Sequence, residues 1–215
     1  MRIAIIGATG YVGSALLEEA LSRGHAVTAI VRNPEKLPSH PHLTPLAVDI
    51  TDVEALAAAL VGQEAVIHAY APPRTATVEA RIAAQRRGTR AILDAMQRAG
   101  VPRILAVGGA GTLEVAPGVR NMDQPEFPKE WEGGAKSTAE VKEILKAEPG
   151  LVWTFLSPSH MLVPGERTGK FRLGLDQLLV GPDGESRITL PDYAMAMIDE
   201  LEKPRHTGRR FTVGY

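Results

Sequence analysis

Residues 7–13, Gly-Ala-Thr-Gly-Tyr-Val-Gly, constrain this 215-residue chain more than any other stretch. A short apolar run, Ile3–Ile6, leads into them, and a helical pattern of Ala15, Leu16, Leu17, Ala20 and Leu21 follows. Strand, glycine turn and helix in that order read as the first βα unit of a parallel sheet. Gly7 permits a sharp exit from the strand, Gly10 leaves the backbone open to close approach, and Gly13 lets the helix lie near the sheet. The unpaired N–H groups at the start of such a helix favour an anion. The unit therefore predicts a dinucleotide-binding turn. Its spacing is G-x-x-G-x-x-G rather than G-x-G-x-x-G, which points to a particular branch of nucleotide-binding proteins.

The rest of the chain repeats the same alternation. Apolar runs at 26–31, 43–48, 65–70, 103–107 and 152–156 read as further strands covered on both faces. Thr51 and Glu54 have the spacing of a capping box, opening a helix to about Leu60. A long helix is predicted over 77–99, stopped by Gly100, with others over 135–147 and 192–201 and a last strand at 211–213. The fold class is α/β: a doubly wound parallel sheet, a Rossmann fold, as one domain over 1–215 with a small loop-rich C-terminal substrate region. Residues 113–134 and 158–190 break the rhythm with prolines and glycines. Both follow strands, so both are expected over the carboxyl edge of the sheet, as the substrate-side loops.

Composition limits the function classes. With 44% hydrophobic residues and a formal charge of −1, the chain reads as soluble and globular, with no general affinity for nucleic acid. It has no cysteine, which removes thiol nucleophiles and thiolate metal sites. No signal h-region and no run of eighteen apolar residues appears, so a cytoplasmic, membrane-free protein is expected. His40 and His42 flank Pro41 in a turn without a third ligand nearby, and no metal site is expected.

The second strand is followed by Arg32 and Asn33, with no acid before Glu35. An acid at that place would bind ribose hydroxyls and repel a 2′-phosphate, whereas a guanidinium holds a phosphate by two charge-assisted bonds. NADP(H) is therefore expected in preference to NAD(H). Asp49, past the third strand, reads either as a partner of the adenine amino group or as a turn residue.

With these residues in hand, the chain resembles the atypical short-chain dehydrogenase/reductase family, in the NAD(P)H-binding group with NmrA-like, NADH-flavin reductase-like and biliverdin reductase B-like proteins. The segments that carry the likeness are 7–13, Val-Arg-Asn-Pro-Glu-Lys-Leu at 31–37, Val-Asp at 48–49, Gly-Gln-Glu-Ala-Val-Ile at 62–67, Val-Pro-Arg-Ile at 101–104 and Val-Gly-Gly-Ala-Gly-Thr-Leu at 107–113. The resemblance implies that Thr9, Gly10, Tyr11 and Val12 line the pyrophosphate and that Arg32 faces the 2′-phosphate. It also places Asp49 and Ile50 at adenine, Ala71 and Pro72 at the ribose, Gly108 and Gly109 on the nicotinamide side, and Ser157 and Pro158 at its carboxamide.

One hallmark of that superfamily is missing. No tyrosine is followed four residues later by a lysine, so the usual proton donor for carbonyl–alcohol chemistry is absent. Gly108-Gly109-Ala110 stands where a partner serine or threonine would follow the fifth strand. Two residues remain as candidates for chemistry. His160, just past the sixth strand, could protonate a reduced substrate, and Lys136, at the start of a helix, could bind an acidic substrate or the cofactor ribose. The expected activity is reduction of an acceptor that draws its protons from water, such as a flavin or quinone. The alternative is a non-catalytic NADP(H)-binding redox sensor. Beyond a small-molecule acceptor, the expected state is a monomer or homodimer.

Overall fold

The structure, a computed structural model, describes residues 1–73 and 77–215. Arg74, the residue four places after Tyr70, lies outside them. Strand β1 (Arg2–Ile6) lies in the interior of the sheet, and Ile3 to Ile6 are fully buried because both faces of the strand are covered. It pairs in parallel with β2 (Ala26–Val31) on one side and β4 (Ala65–His68) on the other. β3 (Leu43–Ala47) lies outside β2. On the other side β5 (Arg103–Val107), β8 (Val152–Ser157) and β12 (Arg209–Gly214) follow β4, all parallel. β10 (Arg172–Gly174) closes that side antiparallel to β12. The eight-stranded order is β10-β12-β8-β5-β4-β1-β2-β3. The chain direction across the sheet reverses between β1 and β4, which opens a crevice at the carboxyl ends of those strands.

Two cores cover the two faces. Helix α1 (Tyr11–Ser22) and α5 (Leu190–Glu202) bury Leu16, Leu17, Ala20, Tyr193, Met197 and Ile198 against one face. Helices α2 (Val53–Leu60), α3 (Val78–Ala99) and α4 (Lys129–Ala147) bury Leu56, Leu60, Ile92, Met96, Val141 and Leu145 against the other. α3 is capped by the Thr77 hydroxyl, which accepts from the Ala80 N–H at 3.2 Å, and it ends at Gly100 with φ +70°.

Several boundaries differ from the sequence reading. Asp52, not Thr51, caps α2, its carboxylate accepting the Ala55 N–H at 3.0 Å. The Thr51 hydroxyl is instead turned back onto Asp49 at 2.8 Å. α4 begins at Lys129 rather than 135, so the first irregular region ends at Pro128. Gly133 and Gly134 sit inside this helix because Arg81 and Val78 of α3 pack directly over them. The same region holds a hairpin of β6 (Glu114–Ala116) and β7 (Val119–Arg120), turning at Pro117-Gly118 with Gly118 at φ +74°. The second region, 158–190, contains β9 (Met161–Val163), which pairs in parallel with β11 (Arg187–Thr189), and also β10 and the first residue of α5. β3 and β4 stop one and two residues short of expectation, and the last strand is longer. Among the described residues, no helix is long and apolar enough to cross a membrane.

Candidate functional site

The glycine turn hangs from the end of β1. Gly7 has φ +89°, a conformation that favours glycine, and a Cβ there would stand 2.7 Å from the Ala69 carbonyl oxygen. A Cβ on Gly13 would overlap the Gly7 carbonyl oxygen, so α1 can lie this close to β1 only with glycine at that position. The turn is locked by the Gly10 N–H donating to Gly7 O at 3.0 Å. Gly10 caps α1 without any side-chain bond, and the first turn of the helix carries no acid. Its leading N–H groups and positive dipole end are therefore left for an external anion. Thr9, Gly10 and Tyr11 are exposed there, and Val12 is half-buried.

One arm of the crevice lies over β2, β3 and β4. Arg32 is exposed just past β2, and Asp49 is exposed past β3. Asp49 Oδ1 accepts the Thr51 N–H at 2.9 Å as well as its hydroxyl, a turn role. Those bonds, with the Arg32 charge nearby, hold its carboxyl below the usual aspartate range. Ile50 and the Tyr70 ring close over Gly88 of α3, where a Cβ would come within 2.8 Å of Ile50 Cδ1. Burial pushes the Tyr70 phenol pKa up, and the charges of Arg32 and Arg87 act against that. Past the end of β4, Ala71 is exposed and Pro72 buried.

The other arm lies over β5 and β8. The Gly108 N–H donates to Leu156 O at 2.8 Å, and a Cβ on Gly109 would sit 2.6 Å from Thr138 Oγ1 of α4. Ser157 and Pro158 are buried at the end of β8, and the Ser157 hydroxyl is sealed from solvent without a partner. His160 is half-buried, its N–H donating to Ser186 Oγ at 3.1 Å. Its ring lies 5.1 Å from the Trp131 ring at 68°. Lys136 is exposed and ion-paired with Glu132, one helical turn earlier. That pairing holds the Glu132 carboxyl below the usual range. Thus 14 of the 15 cofactor candidates and His160 gather at the carboxyl edge of one sheet, and Gly13 supports them from beneath.

The sequence model of the NAD(P)H-binding family matches residues 7–204. The chain belongs to this family. Relatives run its full length: the uncharacterised Bacillus subtilis protein YwnB is 40% identical over 218 residues, covering 99% of this chain and 98% of its own. A Bacteroides thetaiotaomicron structure named as a candidate epimerase is 44% identical, with TM-score 0.90 over 100% of this chain and 96% of its own. A Streptococcus pneumoniae structure named as a candidate NADH-flavin reductase is 32% identical, with TM-score 0.86, covering 100% and 99%.

The site fits the family's nicotinamide dinucleotide on its own terms. The uncapped start of α1 would suit the pyrophosphate's charge, and the Ser157 hydroxyl at the other arm is a buried polar group without a partner. Sequence reasoning missed three features around it. His68, the last residue of β4, is buried under the crevice with Nε2 at 3.1 Å from the Thr89 hydroxyl and Nδ1 unpartnered. Burial pushes its pKa down to about 4, so the ring is neutral near pH 7. Tyr193 is fully buried, its hydroxyl donating to Leu156 O at 2.8 Å, and burial pushes its pKa up, so it supports the site as a strut. Trp131, its ring centroid 6.4 Å from that of Phe127, stands beside His160 just past β8. A polar His at the end of an apolar strand was a readable signal for the first. The other two needed the fold.

Proposed function

We propose that this protein is an NADPH-dependent reductase of a flavin, quinone or similar conjugated acceptor. When bound, the reduced nicotinamide supplies a hydride. In this reading the Thr9–Val12 turn and the start of α1 hold the pyrophosphate, and the Arg32 guanidinium grips the 2′-phosphate. Ile50 and Tyr70 give the adenosine an apolar bed above Gly88. Gly108 and Gly109 border the ring that reacts, with Ser157 and Pro158 toward its carboxamide. The protein's contribution is to hold two planar reactants together and to exclude water between them.

The observation that carries the reading is the Glu132–Lys136 pair. Its four-residue helical spacing is that of a Tyr-x-x-x-Lys pair, but here a glutamate, not a tyrosine, precedes the lysine. A carboxylate held ionised by its lysine has no proton to give near neutral pH. An acceptor that takes its protons from water suits such a site.

The test is a titration with NADPH and NADH, followed by turnover with FMN and menadione. The expected result is tighter binding of NADPH and oxidation of NADPH by at least one acceptor. Arg32→Ala should weaken NADPH roughly 10- to 100-fold, the loss of a charge-assisted phosphate contact, and leave NADH within about threefold. Equal losses for both cofactors would overturn the phosphate assignment. Tight NADPH binding without turnover on either acceptor would overturn the reductase in favour of a sensor.

A further inference from the structure

The chain has ten aromatic residues, and most are buried or half-covered. Tyr11 and Trp131 are the two exposed ones, at 53% and 40%. They come from different elements, Tyr11 from the first turn of α1 and Trp131 from the first turn of α4. The segment from β8 to β9 links them. Its His160 ring meets Trp131, and its Leu162 carbonyl accepts the Tyr11 hydroxyl at 3.1 Å. Met161, between those two contacts, is 42% exposed.

This wall is ordered, not a loose surface. His160 is tethered to Ser186 through its N–H, and β9 is held in register by β11. The two neighbours of Trp131 meet it steeply, Phe127 at 78° and His160 at 68°. Neither lies flat on the indole as a stacked plate would, so the ring keeps open surface. Aromatic faces held in place and open to water offer a flat ligand a preorganised stacking surface. The wall also begins on the glycine turn, at Tyr11, and ends at the arm over β5 and β8, beside His160.

We propose that Trp131, Tyr11 and Met161 form the platform that receives the flat conjugated ring of the electron acceptor, with His160 and Phe127 bracing the indole. The proposal deepens the reductase reading and rests on it for the identity of the ligand. Open aromatic faces and a thioether offer stacking and dispersion without directional bonds. That chemistry selects tricyclic or bicyclic conjugated rings over sugars or small alcohols.

Flavin emission is quenched when the isoalloxazine stacks on indole, so FMN reports the contact directly. Wild type and Trp131→Leu are titrated into FMN in the presence of NADP+, with menadione as a competitor. Trp131→Phe serves as the variant that keeps a ring, and far-UV circular dichroism checks that each protein is folded. Wild type should quench FMN saturably. Trp131→Leu should bind FMN about tenfold more weakly, Trp131→Phe within about threefold, and all three should bind NADP+ equally. Equal FMN affinity in wild type and Trp131→Leu overturns the platform, as does no saturable FMN or menadione binding to wild type. FMN quenching through Trp131 without NADPH oxidation leaves the platform standing and removes the reductase reading alone.

Discussion

Removing the Asp192 carboxylate should cost this protein about 4 kcal/mol of stability. Asp192 is fully buried in the first turn of α5. Its oxygens accept the N–H groups of Thr168 and Gly169, both at 2.9 Å, the Thr168 hydroxyl at 2.5 Å and the Tyr215 hydroxyl at 2.8 Å. Asp192→Ala strands two backbone amides at about 1–1.5 kcal/mol each and loses two hydroxyl bonds to a charged acceptor at about 1 kcal/mol together. It also removes a charge that favours the helix start, worth about 0.5 kcal/mol. Urea unfolding followed by far-UV circular dichroism measures the loss, and the melting temperature should fall by roughly 8–16 °C. The pH dependence is a second reading of the same contact. Burial raises the Asp192 pKa, but the donors from Thr168, Gly169 and Tyr215 outweigh it and bring it below the ordinary value. A depressed folded pKa means the stabilisation is complete above about 3.9 and is lost as pH falls through the lower folded value. The gap between wild type and variant should therefore narrow in that acid range. A loss under about 1.5 kcal/mol, or a gap that stays constant into acid, would refute the reasoning.

Two further substitutions probe the cofactor turn and its neighbourhood. Gly13→Ala puts a methyl group 2.9 Å from the Gly7 carbonyl carbon and should cost about 1–3 kcal/mol and weaken NADPH by tenfold or more, read by thermal melting and by cofactor titration. Asp52→Ala removes the α2 cap and should lower stability by about 1 kcal/mol in urea while leaving NADPH affinity unchanged.

The parallel core was readable because strands covered on both faces show as plain apolar runs, and Ile3 to Ile6 and Ala65 to Ile67 obey that rule. The glycine turn was equally plain, since its backbone geometry is specified locally by Gly7 and Gly13. What escaped was set by distant contacts. Gly133 and Gly134 look like helix breakers until Arg81 is seen packed against them. Thr51 has the right spacing for a cap, but its hydroxyl had a nearer partner in Asp49. β10 is short and half solvent-facing, so Arg172 to Gly174 show no alternation, and only pairing with β12 makes them a strand. The Trp131 wall was invisible for the same reason: 131 and 160 meet only when α4 and the end of β8 are brought to one edge.

The margins of the sheet also restrict how copies of this chain can meet. β3, at one margin, carries Pro45, which has no N–H to offer a further strand, and its partners on β2 already use the inner side. β10, at the other margin, is only three residues long and runs against its neighbour, too brief a template for a stable addition. Sheet extension from one molecule into the next is thereby discouraged at both ends. Association between copies through the main sheet is therefore disfavoured, and side-chain contacts on the helical faces could be altered by single substitutions without disturbing the main sheet's ladder.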